Sequence, residues 1–147
     1  MTFRIGSLFA GIGGLELGLE WAGLGHTVWQ VEREEWCRNV LQKHWPNASR
    51  YDDVRTVGAH NLEPVDVICG GFPCQDLSYA GKGAGLAGER SGLWFEYARI
   101  VRELRPRLVI VENVAALRSR GLGVVLGDLA ALGYDSVWTS IRASDVG

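Results

Sequence analysis

Short, nearly continuous apolar runs punctuate the chain, and between them lie stretches whose apolar residues recur at helical spacing. Phe3 to Phe9 is the first run, and it ends in Ala10-Gly11-Ile12-Gly13-Gly14. Leu15 to Ala22 then reads as a helix, with Leu15, Leu17, Leu19 and Trp21 as its apolar positions. Thr27 to Val31 is a second strand, and Glu34 to His44 is a helix stopped by Pro46. A short strand fits Ser49 to Tyr51. Val65 to Cys69 is a fourth strand, closed by Gly70-Gly71. Leu93 to Leu104 is a helix ending before Pro106, and Leu108 to Val111 is a fifth strand. Gly123 to Leu132 is a helix ending at Gly133, and Ser136 to Ile141 is a last strand. Alternating strands and helices of this kind build a mostly parallel sheet with helices on both faces, an α/β fold. No repeat and no interdomain linker interrupts the pattern, so residues 1–147 are expected to form one domain.

A chain of 147 residues is long enough to bury a real core. The net charge of −2 argues against a strongly basic nucleic-acid platform over the whole surface, although local basic loops remain compatible with it. Three cysteines with no paired framework suggest a reducing compartment. The amino-terminal Met-Thr-Phe-Arg-Ile-Gly has no long apolar core of a signal peptide, and no apolar stretch reaches the length of a membrane span. A soluble cytoplasmic protein with no membrane contact and no metal site is expected.

Chemistry gathers where the strands end. Cys74 follows Gly70-Gly71-Phe72-Pro73, so its thiol is presented on a proline-stiffened loop at the carboxyl end of the fourth strand. In open α/β sheets that edge binds ligands. Cys69, inside the apolar strand, and Cys37, in a helix, suit the commoner fate of a buried inert thiol. Cys74 does not, and an exposed thiol there is a candidate nucleophile if its thiolate is stabilised. Glu112-Asn113 closes the fifth strand. Glu112 is either a helix-capping group or a carboxyl that burial keeps protonated for proton donation. The loop Gly11-Ile12-Gly13-Gly14 lets a backbone approach a ligand at a helix amino end, and Glu32 stands about twenty residues on, where an acid can hold ribose hydroxyls. The spacing is neither the dinucleotide fingerprint nor a Walker loop, and a structural turn beside a solvated glutamate has about equal weight. Residues 81–92 hold Gly81, Gly83, Gly85, Gly88 and Gly92, too many glycines for a stable helix, and read as a mobile loop or lid. Lys82 and Arg90 on it, with Arg118 and Arg120, suit either a solvated face or phosphate contacts.

Together these residues resemble the DNA cytosine-5 methyltransferase family. The match runs from Ser7-Leu8-Phe9-Ala10-Gly11-Ile12-Gly13-Gly14 through Gly71-Phe72-Pro73-Cys74-Gln75 and Arg90-Ser91-Gly92-Leu93-Trp94 to Glu112-Asn113-Val114 and Ala143-Ser144-Asp145-Val146-Gly147. Several motifs in the family's order over the entire chain make the signal specific, and the lid is most similar to bacterial or phage-encoded members.

The resemblance implies a Rossmann-like, S-adenosylmethionine-dependent methyltransferase fold, incomplete at its C-terminal end. It implies that the Cys74 thiolate adds to carbon 6 of cytosine, which makes carbon 5 enamine-like and able to take a methyl group from S-adenosylmethionine. Glu112 would bind and protonate ring nitrogen 3. The target atom is hidden in double-stranded DNA, so the base must be flipped out. Gln75 to Ser91 would form the lid, with Ser78, Lys82 and Arg90 as DNA contacts. For the cofactor, Phe9 would stack on adenine, and Gly11, Ile12, Gly13 and Gly14 would line the methionine end. Glu32 would take the ribose hydroxyls, Asp53 and Val54 would stand beside the adenine amino group, and Pro73 and Leu93 would touch the cofactor. Many relatives carry an apolar or aromatic residue after the ribose acid, where this chain has Arg33; its aliphatic stem could cover the adenine.

The family continues with an arginine-bearing motif, a target-recognition domain and a final helix, and this chain is expected to be its amino-terminal catalytic portion. The implied strand order is three-two-one-four-five-seven-six, with strand seven following Gly147. The fifth strand then has an open edge, unless Val137 to Ile141 moves in beside it or a complementary C-terminal portion or subunit supplies a strand. Two other readings stand beside this one. The first is a non-catalytic cofactor-binding or interaction module. The second is an RNA cytosine-5 methyltransferase, although Gly71-Phe72-Pro73-Cys74-Gln75-Asp76-Leu77-Ser78 is more similar to the DNA branch.

Overall fold

The computed structural model describes residues 2–73 and 92–147. Cys74, Ser78, Lys82, Arg90 and the whole Gln75 to Ser91 lid therefore lie outside the described residues. Five parallel strands form one sheet: β1 (Phe3–Leu8), β2 (Gly25–Val31), β3 (Ser49–Tyr51), β4 (Val67–Gly70) and β5 (Leu108–Val111), in the order β3-β2-β1-β4-β5. The helices are α1 (Gly14–Trp21), α2 (Glu35–His44), α3 (Gly92–Leu104), α4 (Leu117–Arg120) and α5 (Leu122–Ala131). Strand order reverses between β1 and β4, which places a crevice above their carboxyl ends.

Period-two alternation decides which side chain meets which helix. Leu8, Trp29, Val31 and Ile68 point to one face and pack with Trp94, Tyr97, Ile100 and Val101 of α3 and with Val125 and Leu129 of α5. Ile5, Val67 and Cys69 point to the other face, against Leu15 and Leu19 of α1. Each fully buried large side chain on these faces contributes about 1.5–3 kcal/mol of transfer free energy. Trp94 carries its indole N–H into this core and satisfies it by donating to Asp128 on α5 at 2.8 Å. Cys37 and Cys69 are buried, as expected, and burial pushes the Cys69 thiol up to about 12, so it stays protonated and inert.

The face toward α1 also carries a polar row. Arg50, Gln30, Ser7 and Cys69 are cross-strand neighbours in register. Glu16 of α1 is fully buried above them and accepts from the Gln30 amide at 3.0 Å, while the Gln30 carbonyl accepts from Arg50 at 3.1 Å. Burial raises the Glu16 carboxyl above its ordinary value.

One expected element is absent. Ser136 to Ile141 does not form a strand, and it does not move in beside β5. Val137 is wholly exposed and Ile141 is 72% exposed. A strand needs a ladder partner, and β5 pairs only with β4 among the described residues. Residues 134–138 instead stand off β5 across a groove of about 460 Å³ lined by Val109, Val111, Leu122, Val125 and Leu129. The Arg118 guanidinium lies 5.6 Å above the Trp138 ring at the rim of the same region.

Candidate active site

The glycine loop leaves β1 through two left-handed residues, Phe9 (φ 55°) and Gly11 (φ 57°), and enters α1 through Gly13 (φ 92°). Gly13 could not carry a side chain: a Cβ there would lie 2.4 Å from the Trp45 ring. The loop is thus seated on the residue that ends α2. The Phe9 ring is half-buried and lies 6.4 Å from Tyr97 in a near-parallel stack, while Ile12 is 56% exposed at the crest.

Glu32 follows β2 and ties two loops together. One carboxyl oxygen accepts from the Gly11 N–H at 2.6 Å, and the other accepts from the Glu34 N–H at 2.8 Å. An ionised carboxylate offers about four acceptor positions, so each oxygen keeps one for a further donor. The residues present therefore fit a ligand carrying a pair of vicinal hydroxyls. Arg33 beside it is exposed. Arg38, one turn into α2, donates to the backbone carbonyls of both Glu32 and Arg33, at 2.8 and 2.5 Å.

Asp53 caps the single 3-10 turn Val54–Thr56 that follows β3. One of its oxygens accepts from the Arg55 backbone N–H at 3.0 Å and from Arg55 Nε at 2.9 Å; the other accepts from Arg55 Nη2 at 2.7 Å. These Arg55 bonds, with a smaller contribution from the Arg33 charge, hold the Asp53 carboxyl down at about 2. Val54 beside it is buried.

Phe72 pins the start of the cysteine loop. Its ring is buried 5.4 Å from Trp94, and its carbonyl accepts from the Asn113 side-chain amide at 3.0 Å. Pro73 is exposed and Leu93 is half-buried against the core. The loops after β4 and β5 approach closely: the Glu112 N–H donates to the Gly70 carbonyl at 3.0 Å, and a Cβ on Gly71 would lie 2.5 Å from Glu112 Oε2. Glu112 thus stands over the backbone that leads to Cys74. Its side chain is exposed among the described residues, just past the end of β5.

The structure brings Phe9, Gly11, Ile12, Gly13, Gly14, Glu32, Asp53, Val54, Pro73 and Glu112 to the carboxyl edge of one sheet. It also shows two arginines that the sequence pattern does not single out, Arg38 and, on α3, Arg99, holding backbone carbonyls. Among the described residues no cluster of metal-ligating side chains is present. No described helix is long and apolar enough to cross a membrane.

Comparison with known proteins supplies the frame. The model of the C-5 cytosine-specific DNA methylase family matches residues 3–147. The type II methyltransferase M.Bsp6I of Bacillus sp. (strain RFL6) is 34% identical over 98% of this chain and 47% of its own length. M.CviJI, from Paramecium bursaria Chlorella virus IL3A, is 36% identical over 100% of this chain and 40% of its own. The chain therefore spans less than half the length of these relatives. Among solved structures, a putative DNA modification methyltransferase encoded within an E. coli prophage superposes with a TM-score of 0.70 at 26% identity, over 88% of this chain and 38% of that one. The fold is also that of Spodoptera frugiperda DNMT2, with a TM-score of 0.71, 20% identity and coverage of 89% of this chain and 41% of that one. With the family pattern covering nearly every residue, and its glycine, acid and Glu112 positions meeting on one sheet edge, this chain belongs to the C-5 cytosine-specific DNA methylase family.

Proposed function

We propose that this chain is the cofactor-binding and catalytic portion of an enzyme that methylates carbon 5 of cytosine in double-stranded DNA. The observation that carries this reading is the meeting of the loops after β1, β2, β4 and β5 at one edge, with Glu32 bonded to the glycine loop and Glu112 over Gly71. Glu32 would accept from the ribose hydroxyls of S-adenosylmethionine, with Phe9 stacked on its adenine, Asp53 and Val54 beside the amino group, Gly11 to Gly14 along its methionine end, and Pro73 and Leu93 in contact. The cofactor supplies an electrophilic methyl group. Cys74 adds its thiolate to carbon 6 of the flipped base, and Glu112 delivers a proton to nitrogen 3 so that the ring does not accumulate negative charge. Carbon 5 then takes the methyl group, and loss of the carbon 5 proton to a base, return of the nitrogen 3 proton to the Glu112 carboxylate and departure of the Cys74 thiolate restore the aromatic ring. Ser78, Lys82 and Arg90 contact phosphates of the DNA.

The groove beside β5 favours the view that this portion works together with a complementary one. The groove is lined by Leu108 to Val111 of β5, by Leu117, Leu122, Val125 and Leu129 of the following helices and by residues 134–138, and a further strand beside the open β5 edge would cover it. The test is transfer of labelled methyl groups by the protein supplied with its complementary portion, on duplex DNA and on tRNA. Counts at cytosine carbon 5 of DNA that vanish in Cys74→Ser support the reading. Counts on tRNA alone transfer the chemistry to RNA, and no counts from a well-folded pair favour a non-catalytic binding module.

A further inference from the structure

Arg99 lies on α3, away from the core-facing side formed by Trp94, Tyr97, Ile100 and Val101. Its guanidinium is committed in four directions. Nη2 donates to the carbonyls of Val54 and Val57, at 3.1 and 2.9 Å. Nε donates to Glu96 at 2.7 Å, and Nη1 donates to Glu103 at 2.9 Å. Glu103 in turn accepts from the Ala59 N–H at 3.0 Å. Gly58 completes the fit, because a Cβ there would lie 2.3 Å from Glu103 Oε2 and 3.1 Å from Arg99 Nη1. One arginine and one glutamate therefore grip the backbone from Val54 to Ala59, the turn that Asp53 caps.

The same device occurs a second time. Arg38 on α2 donates to the carbonyls of Glu32 and Arg33. Each acid assigned to the cofactor thus has a helical arginine holding the backbone next to it, and in neither case does the guanidinium reach the acid's own carboxylate. A fork with five donors in fixed geometry suits this task, since it can fix two carbonyls at once.

We propose that Arg99 is a positioning residue for the cofactor, acting through the Asp53–Val57 turn. This rests on the reading of that turn as the adenine wall. Arg99 sets where Asp53 and Val54 stand before the cofactor arrives, so its loss weakens cofactor binding and leaves the methyl-transfer step intact. An interaction that serves ground state and transition state alike changes KM and not kcat.

The experiment is calorimetric titration of S-adenosylhomocysteine into the wild-type chain and into Arg99→Met, Arg99→Lys and Glu103→Gln, with Arg102→Met, exposed on the same helix, as control. The wild type and Arg102→Met bind alike. Arg99→Met raises Kd about tenfold or more, and Arg99→Lys recovers part of the loss because a single ammonium cannot hold both carbonyls in one plane. Backbone amides of residues 54–59 exchange faster in Arg99→Met, and in the transfer assay the cofactor KM rises while kcat at saturation holds. Wild-type affinity in folded Arg99→Met overturns the proposal. Should Arg99→Met fail to fold, Glu103→Gln decides, and wild-type affinity there overturns it as well. Absence of binding by the folded wild type overturns the cofactor reading first, and the proposal with it.

Discussion

Replacing Glu32 by alanine separates what this carboxylate does for the fold from what it does for the ligand. In the folded chain it accepts one N–H from Gly11, part-buried, and one from Glu34, exposed. Hydrogen bonds to a charged group contribute about 1.5–3 kcal/mol when protected and less when exposed, so the unliganded protein should lose roughly 1–3 kcal/mol. Urea titration reads that loss as a lower midpoint with an unchanged slope. The remaining acceptor positions are those assigned to ribose. Losing charge-assisted bonds there costs a further 1.5–3 kcal/mol or so, which is a rise in Kd of roughly 10- to 150-fold for S-adenosylmethionine. Calorimetric titration below the unfolding midpoint measures it. Glu32→Gln keeps one acceptor oxygen without the charge and should fall between. Unchanged affinity in folded Glu32→Ala would refute the assignment of Glu32 to the cofactor.

Three further outcomes follow from particular contacts. Gly13→Ala combines left-handed backbone strain with the 2.4 Å approach to Trp45 and should cost more than about 2 kcal/mol in urea, whereas Gly11→Ala, with nothing within 4 Å of its Cβ, should cost only the strain of about 1–2 kcal/mol. Glu16→Gln should stabilise the protein at pH 7. The buried Glu16 carboxyl is raised, so its contribution is present below its ordinary value near 4.5 and is lost as pH rises through the folded value; the amide has no charge to bury, and thermal melts across pH should converge below about 4. Asp53 works in the other direction. Held at about 2 against an ordinary 3.8, it contributes stability that is present above about 4 and lost as pH falls toward 2, so Asp53→Asn should lower neutral-pH melts, modestly because the Arg55 pair is solvent-screened, and converge with the wild type near pH 2.

The sheet was legible because most of its strands are apolar runs that carry their own boundaries. Leu108 to Val111 and Ser49 to Tyr51 fall where the pattern puts them, and Glu35–His44 begins one residue inside the reading. Val67–Gly70 starts two residues later than expected, because Val65 and Asp66 precede the ladder and the Asp66 carbonyl accepts from Arg107 and Leu108. Ser136 to Ile141 has strand composition, but composition cannot provide a neighbour, and the chain there lies across a groove from β5. Glu112 was legible as a strand-end acid but its exposure was not, since burial depends on what lies beyond β5. Arg38 and Arg99 left no signal except spacing: Glu96, Arg99 and Glu103 at helical intervals resemble any solvated face, and the carbonyls that Arg99 holds are some forty residues away in sequence.

A covalent trap tests most directly whether Cys74 is the nucleophile. Duplex DNA carrying 5-fluorocytosine accepts thiolate addition at carbon 6 and methylation at carbon 5, but fluorine cannot leave as a proton does, so the enzyme stays attached. With S-adenosylmethionine and the complementary portion present, a denaturation-resistant adduct joined through Cys74 should form, absent in Cys74→Ser and absent without the cofactor. Methyl transfer to ordinary cytosine by Cys74→Ser at the wild-type rate, or an adduct mapped to Cys37 or Cys69, would contradict it.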